Sequence, residues 1–257
     1  MIKHLSLKAY GKINLGLDVL RRREDGYHDV RMIMQTVGIF DRVDLVWKEE
    51  PGIQVETNLY YLPVNENNLV YKAARLLQEE FALTDGISVK LTKRIPVAAG
   101  MAGGSTDAAA MLYAMNQLYD LGLSRRELMK RGVQIGADVP YCLMRGTALA
   151  EGIGEKLTQL PPMIKCPVLI AKPSISVSTR FVYQNLKLDE QTNHPDIDAL
   201  MKDIREKDFD GVCAHMGNVL ESVTIPNYPV IAEIKQQMMR SGAKASMMSG
   251  SGPTVFG

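Results

Sequence analysis

The sequence predicts an α+β protein, and three observations predict it. The N-terminal segment alternates apolar and polar residues, as a strand with one buried face does. Later segments carry apolar residues at helical spacing. Near residue 100 a glycine-rich loop joins a strand to an alanine-rich helix. With 257 residues, 46% of them apolar, the chain can build a sizeable core in one large domain or two small ones.

The elements follow in order. Leu5, Leu7 and Ala9 share one parity. After Gly11, Ile13, Leu15, Leu17 and Val19 point one way, and Lys12, Asn14, Gly16 and Asp18 the other. Arg21 to Gly26 is a charged turn, tightest at Asp25-Gly26. Met32 to Val46 and Gly52 to Thr57 read as strands. Leu69, Ala73, Leu76 and Leu77 predict a helix over Asn67 to Phe81, and Ile87 to Thr92 alternates again. Asp107 to Leu121 is a helix that Ser105 or Thr106 caps, with Met111, Leu112, Met115, Leu118 and Tyr119 as its apolar stripe. Ser124 and Glu127 stand in capping-box register for a helix to Ile135. A glycine-rich segment spans Gly146 to Gly154. After Pro161-Pro162 come a short strand at Val168 to Ala171 and helical material at Ser176 to Leu186, Ala199 to Ile204 and Tyr228 to Ser241. The sequence closes on a strand-like Thr254-Val255-Phe256, where a further helix and strand are expected to follow in a full-length chain. The expected domains are 1–160 and 161–257.

Composition excludes several function classes. Thirty basic and 29 acidic residues leave no electrostatic footprint for nucleic acid. No apolar run approaches the roughly 18 residues that span a bilayer, and Met1 to Ser6 lacks the apolar core of a secretory signal. Cys142, Cys166 and Cys213 show no metal spacing and read as thiols in a reducing compartment, so a cytoplasmic location is expected.

The chemistry concentrates in Pro96-Val97-Ala98-Ala99-Gly100-Met101-Ala102-Gly103-Gly104-Ser105-Thr106. Glycines let a backbone bend sharply and approach a ligand, and a helix start offers unpaired N–H groups and a positive dipole end. Together they cradle phosphate. The stretch lacks the Gly-Lys-Ser/Thr ending of a P-loop and is not a Gly-x-Gly-x-x-Gly after a first strand. Lys12, beside Asn14, reads either as a solvated strand lysine or as a fixed ammonium that lowers an alcohol's pKa or holds a phosphate. Asp138, in Gly136-Ala137-Asp138-Val139-Pro140, is either a turn aspartate or a general base. Tyr27-His28 is either a hairpin flank or a stacking ring with a directional hydrogen bond, and Tyr183 is core or the opposite ring. Gly250-Ser251-Gly252 is a linker or a turn that brings N–H groups to a substrate.

These pieces in this order resemble the GHMP kinase superfamily, named for galactose, homoserine, mevalonate and phosphomevalonate kinases. The carrying motifs are Lys12-Ile13-Asn14-Leu15, Pro96 to Ala109, and Met248-Ser249-Gly250-Ser251-Gly252-Pro253-Thr254. Met101 stands where leucine is usual, Thr106 where serine is common, and Tyr10-Gly11 where Pro-Ala is frequent. The resemblance implies a two-domain fold, with an N-terminal domain like domain 2 of ribosomal protein S5 and a ferredoxin-like C-terminal domain. It implies ATP and Mg2+, with residues 96–106 around the phosphates and Mg2+ bridging them. Within the family, Asp25-Gly26-Tyr27-His28 and the Gly103-Gly104-Ser105 pattern are similar to those of the branch that phosphorylates the 2-hydroxyl of a cytidine diphosphate-linked methylerythritol in non-mevalonate isoprenoid synthesis. Asp138 would then be the base and Lys12 its partner. Tyr27 and Tyr183 would sandwich the cytosine, His28 would bond its edge, and Asn14 with Gly250, Ser251 and Gly252 would place the substrate. A monomer or homodimer is expected, with a small-molecule substrate as its only partner. Homoserine or mevalonate, as rival substrates, offer no base for Tyr27 to stack on, and a sensor that had lost the chemistry would need neither Lys12 nor Asp138.

Overall fold

The computed structural model describes residues 3–257; Met1 and Ile2, part of the N-terminal stretch read above as lacking a signal core, lie outside them. The chain order is β1 (His4–Arg22), β2 (His28–Lys48), β3 (Ile53–Thr57), α1 (Leu69–Glu80), β4 (Gly86–Thr92), α2 (Gly103–Leu118), α3 (Arg125–Ile135), α4 (Val139–Met144), β5 (Thr147–Gly152) and β6 (Lys156–Gln159). It continues with β7 (Ile170–Ala171), α5 (Thr179–Asn185), α6 (Ile197–Glu206), α7 (Phe209–His215), β8 (Gly217–Asn218), α8 (Glu221–Asn227), α9 (Val230–Arg240), β9 (Met247–Met248) and β10 (Val255–Phe256). Two compact units form, and they interleave along the sequence.

The first unit takes residues up to Gly11, 37–97 and 102–144. Here β4 lies between β3, its parallel neighbour (Ile53↔Ile87 to Thr57↔Leu91), and β2, its antiparallel one (Arg42↔Thr92 to Lys48↔Gly86). Val43, Leu45, Ile87, Val89 and Leu91 face the core. α1, α3 and α4 pack on α2. The stripe expected on α2 is in fact nearly a whole circumference: Ala108, Ala109, Ala110, Met111, Leu112, Ala114 and Met115 are all buried. Alanine's small side chain is what lets several helices close on one axis. α3 begins as its sequence says, with Ser124 accepting from the Glu127 N–H and Glu127 accepting from the Ser124 N–H. A Cβ on Gly132 would stand 2.8 Å from Val139 Cγ1, so the glycine seats α4 against α3.

The second unit takes 12–36, 98–101 and 145–257. β2 pairs antiparallel with β5 (Val30↔Gly152 to Gln35↔Thr147), β5 with β6, and β1 pairs parallel with β8 at Gly16↔Gly217. The glycine-rich segment after residue 146 is thus a hairpin. A Cβ on Gly16 would meet Ile197 and Leu200 at 2.7 and 2.8 Å, so this strand glycine admits α6 onto β1. β7, β10 and β9 form a second small sheet, with Val255 paired to both Ala171 and Met248. α7, α8, α4 and β8 have no counterpart in the sequence reading, because each is too short to show a period.

Candidate active site

The glycine-rich loop has a regular backbone. Ala98, Gly100 and Ala102 are left-handed, at φ 51°, 70° and 56°. Between them, Ala99 and Met101 are buried, at 3% and 1% exposure, and pin the loop. Left-handed residues at every second position bend the chain sharply, which lets its backbone approach a ligand closely. α2 then starts at Gly103, four residues before the expected Asp107, so Ser105 and Thr106 lie inside the helix and do not cap it. The residue at the cap position is Ala102, which is left-handed and has no side-chain oxygen. The first N–H groups of α2 therefore carry no side-chain cap and, among the described residues, remain open donors beside the positive end of the helix dipole.

A second loop meets the first, backbone to backbone, within the second unit. Ser249 Oγ donates to the Gly100 carbonyl at 2.9 Å, and the Cα of Gly100 lies 3.3 Å from where a Cβ on Gly250 would be. A Cβ on Gly100 would stand 2.2 Å from the Ser249 carbonyl oxygen. The loop 249–252 is a hydrogen-bonded turn, not a linker: the Gly252 N–H donates to the Ser249 carbonyl at 3.0 Å. Ser251 pairs with Thr179 Oγ1 at 2.8 Å. Asn218 on β8 donates to the Met248 and Gly250 carbonyls, both at 2.8 Å. Asn218 and Thr179 were not legible as site residues, since nothing local marks them.

Lys12 overturns the solvated-lysine reading. It is 5% exposed, and its Nζ donates to Asn14 Oδ1 at 2.7 Å. Asn14 is fully buried and donates to Met32 Sδ at 3.3 Å. β1 is covered on both faces from Gly11 to Val19, so its polar parity sits inside the protein. An ammonium has three donors; among the described residues Lys12 uses one, and two remain for a ligand. The Lys12 N–H also donates to the Met101 carbonyl at 3.1 Å, tying β1 to the phosphate loop. Asp138 lies in the first unit, half-buried in the turn ahead of α4. Its carbonyl accepts from the Cys142 N–H at 3.0 Å, while its carboxylate has no partner among the described residues. A turn aspartate that bonded its own backbone would be spent; this one is available.

Tyr27 follows an Asx turn, in which Asp25 Oδ1 accepts the Tyr27 N–H at 3.0 Å, and the residue is 60% exposed. The His28 and Tyr183 rings meet, with centroids 5.1 Å apart and planes at 43°. Burial first, and Arg22 second, push the His28 pKa below its ordinary value. The imidazole is therefore neutral at pH 7, with one nitrogen donating and one accepting.

One buried cluster of the first unit was missed. Lys93 donates to Asp41 and, at 2.5 Å, to Asp107 Oδ2. The Lys93-Arg94 pair just ahead of Pro96 was its signal, but its acidic partners are 52 and 14 residues away along the chain. Burial above all pushes Asp107 up to about 8; Asp41 raises it further and Lys93 opposes.

The chain is similar to known proteins. The GHMP kinases N terminal domain matches residues 68–146, and the GHMP kinases C terminal domain matches 200–257. A 4-diphosphocytidyl-2-C-methyl-D-erythritol kinase of Lachnospira eligens is 61% identical over 100% of this chain and 89% of its own length. One of Lachnoclostridium phytofermentans is 56% identical over 98% and 87%. A crystal structure of 4-(cytidine 5'-diphospho)-2C-methyl-D-erythritol kinase superposes with a TM-score of 0.83 at 31% identity, over 98% of this chain and 89% of that one. A homoserine kinase of Cytophaga hutchinsonii shares the fold, with a TM-score of 0.77 at 21% identity over 100% and 85%.

Proposed function

Because this chain belongs to the GHMP kinase family, we propose that it phosphorylates the 2-hydroxyl of 4-diphosphocytidyl-2-C-methyl-D-erythritol with ATP, a step of non-mevalonate isoprenoid synthesis. The observation that carries the reading is the uncapped start of α2 behind three left-handed residues, a donor-lined cradle for a nucleotide's phosphates. Residues 96–106 hold the phosphate chain. Asp138, whose carboxylate is unpartnered among the described residues, accepts the proton of the substrate hydroxyl. Lys12, with two open donors on a buried ammonium, stabilises charge on the attacking oxygen. Phosphoryl transfer needs mainly positioning and charge neutralisation, which these groups supply.

Tyr27, His28 and Tyr183 hold the cytosine. A neutral His28 beside the Tyr183 ring suits a directional hydrogen bond to a base edge. Asn14, Gly250, Ser251 and Gly252 place the rest of the substrate, the last three in a turn whose carbonyls Asn218 fixes. Among the described residues no group of three or more His, Cys, Asp or Glu is placed to hold a metal ion. Mg2+ would bind with the ATP phosphates at residues 96–106, where it would neutralise their charge.

The domain division at about residue 160, a cytoplasmic location and a monomeric or homodimeric state belong to the same proposal. The two family matches fall on either side of that boundary, and no disulfide joins the cysteines among the described residues. No helix among the described residues is long and apolar enough to cross a membrane. Phosphorus NMR with Mg-ATP and the cytidine substrate, run beside homoserine and mevalonate, tests the function. A new phosphomonoester with the cytidine compound alone is expected. Turnover of either other alcohol, or of none by folded protein that binds ATP, refutes it.

A further inference from the structure

The buried cluster of the first unit bears on both ends of the phosphate loop. Asp41 Oδ1 accepts the N–H groups of Arg94 and Ile95, at 2.5 and 2.8 Å, immediately ahead of Pro96. Asp41 Oδ2 accepts from Lys93 Nζ. The same ammonium reaches 2.5 Å to Asp107 Oδ2, just beyond Thr106 and one turn into α2. It also lies 3.3 Å from where a Cβ on Gly103 would stand, against the first residue of the helix. Lys93, Asp41 and Asp107 are 7%, 0% and 2% exposed, so bulk water screens them poorly. We propose that Asp41, Lys93 and Asp107 form a clamp that holds the entry and exit of residues 96–106 in register for nucleotide phosphates, with Asp107 as its protonation-sensitive positioning residue. The proposal rests on the reading of residues 96–106 as the phosphate loop.

The cluster holds one cation and two carboxylates. Asp41 is surrounded by donors and accepts three hydrogen bonds, whereas Asp107 accepts one and leaves Oδ1 buried without a partner. That asymmetry places the proton on Asp107, in keeping with the upward push that burial gives it. The charged groups that act most strongly on Asp107 are Lys93, after β4, and Asp41, on β2. With Asp107 protonated the cluster is neutral. Above pH about 8 it loses that proton, and a buried net negative charge appears beside the start of α2. That charge opposes the helix dipole and repels phosphate.

Calorimetric titration of the whole chain with Mg-ATP between pH 7.0 and 9.5 tests this. For the wild type, the dissociation constant is expected to rise on the order of tenfold across that range, the scale of one poorly screened unit charge acting over roughly 10 Å. Asp107→Asn keeps the acceptor oxygen and cannot ionise, so its curve is expected to be flat. Lys93→Met is expected to weaken ATP binding at every pH and to raise KM for ATP more than it lowers kcat. Should Lys93→Met fail to fold, the wild type and Asp107→Asn still decide. A wild-type curve without the rise, or an Asp107→Asn curve that follows the wild type, overturns the clamp. Folded wild type that binds no ATP at pH 7 overturns the phosphate-loop reading, and the clamp with it.

Discussion

Gly100→Ala is the substitution for which the structure gives a magnitude. Gly100 is left-handed at φ 70°, which costs an alanine about 1 kcal/mol. The new Cβ would stand 2.2 Å from the Ser249 carbonyl oxygen and 3.3 Å from that of Gly252. Carbon and oxygen need about 3.2 Å, so one loop must withdraw by about 1 Å. Withdrawal breaks the Ser249 Oγ to Gly100 hydrogen bond, about 1 kcal/mol, and strains the turn that Asn218 holds. With about 1 kcal/mol for the strained turn, the low end of overpacking costs, the sum is about 3 kcal/mol. Gly122 is the internal control: its φ is 68°, and nothing lies within 4 Å of where an alanine methyl would stand, so Gly122→Ala carries the backbone cost alone, about 1 kcal/mol. At about 2–4 °C per kcal/mol for a chain of this size, calorimetry should show Gly122→Ala losing about 3 °C and Gly100→Ala about 9 °C. Equal losses would mean that the two loops do not meet at Gly100, and would refute the packing argument.

Other predictions follow from the same residues. Asp138→Asn is expected to lower kcat by about 100-fold or more with ATP affinity little changed, in steady-state kinetics; near-normal turnover removes Asp138 from the mechanism. His28 is held neutral by burial and by Arg22, so KM for the cytidine substrate is expected to stay flat from pH 8 down through the ordinary histidine range and to rise only below it. Arg22→Gln removes the repulsion and should move that rise to higher pH; no displacement would exclude His28 as the titrating group. Asp203 raises the pKa of His215, whose Nδ1 is 2.6 Å from it. The contribution of this pair to stability is full below the unfolded value near 6.5 and is lost as pH rises through the raised folded value. The melting-temperature gap between wild type and His215→Gln should therefore narrow from pH 6 to pH 9, and a constant gap contradicts the assignment.

Sequence is legible where local chemistry decides. The Ser124–Glu127 capping box places the start of α3, because its partners are three residues apart. The parity of β1 is likewise visible, because side chains alternate along a strand whatever covers it. The loop at 96–106 is legible because glycine and alanine are the residues that tolerate its backbone. The start of α2 falls before the expected Asp107 although Ser105 and Thr106 have the chemistry of caps. A cap requires extended backbone geometry, and the left-handed Ala102 allows the helix to begin at Gly103 instead.

The sequence by itself determined the α+β class, the order of the motifs and which residues carry ionisable or backbone-permissive chemistry. Tertiary structure alone decided what those residues can do. Lys12 looks like any strand lysine until β1 is covered on both faces, when its ammonium is left with one acceptor among the described residues. The turn at 249–252 looks like a linker until Asn218, about 30 residues earlier, ties its carbonyls. Asp107 looks like a first-turn helix acid until burial beside Lys93 and Asp41 holds its proton. Each of these depends on desolvation and on contacts between residues far apart in the chain, and neither quantity has a local trace in sequence.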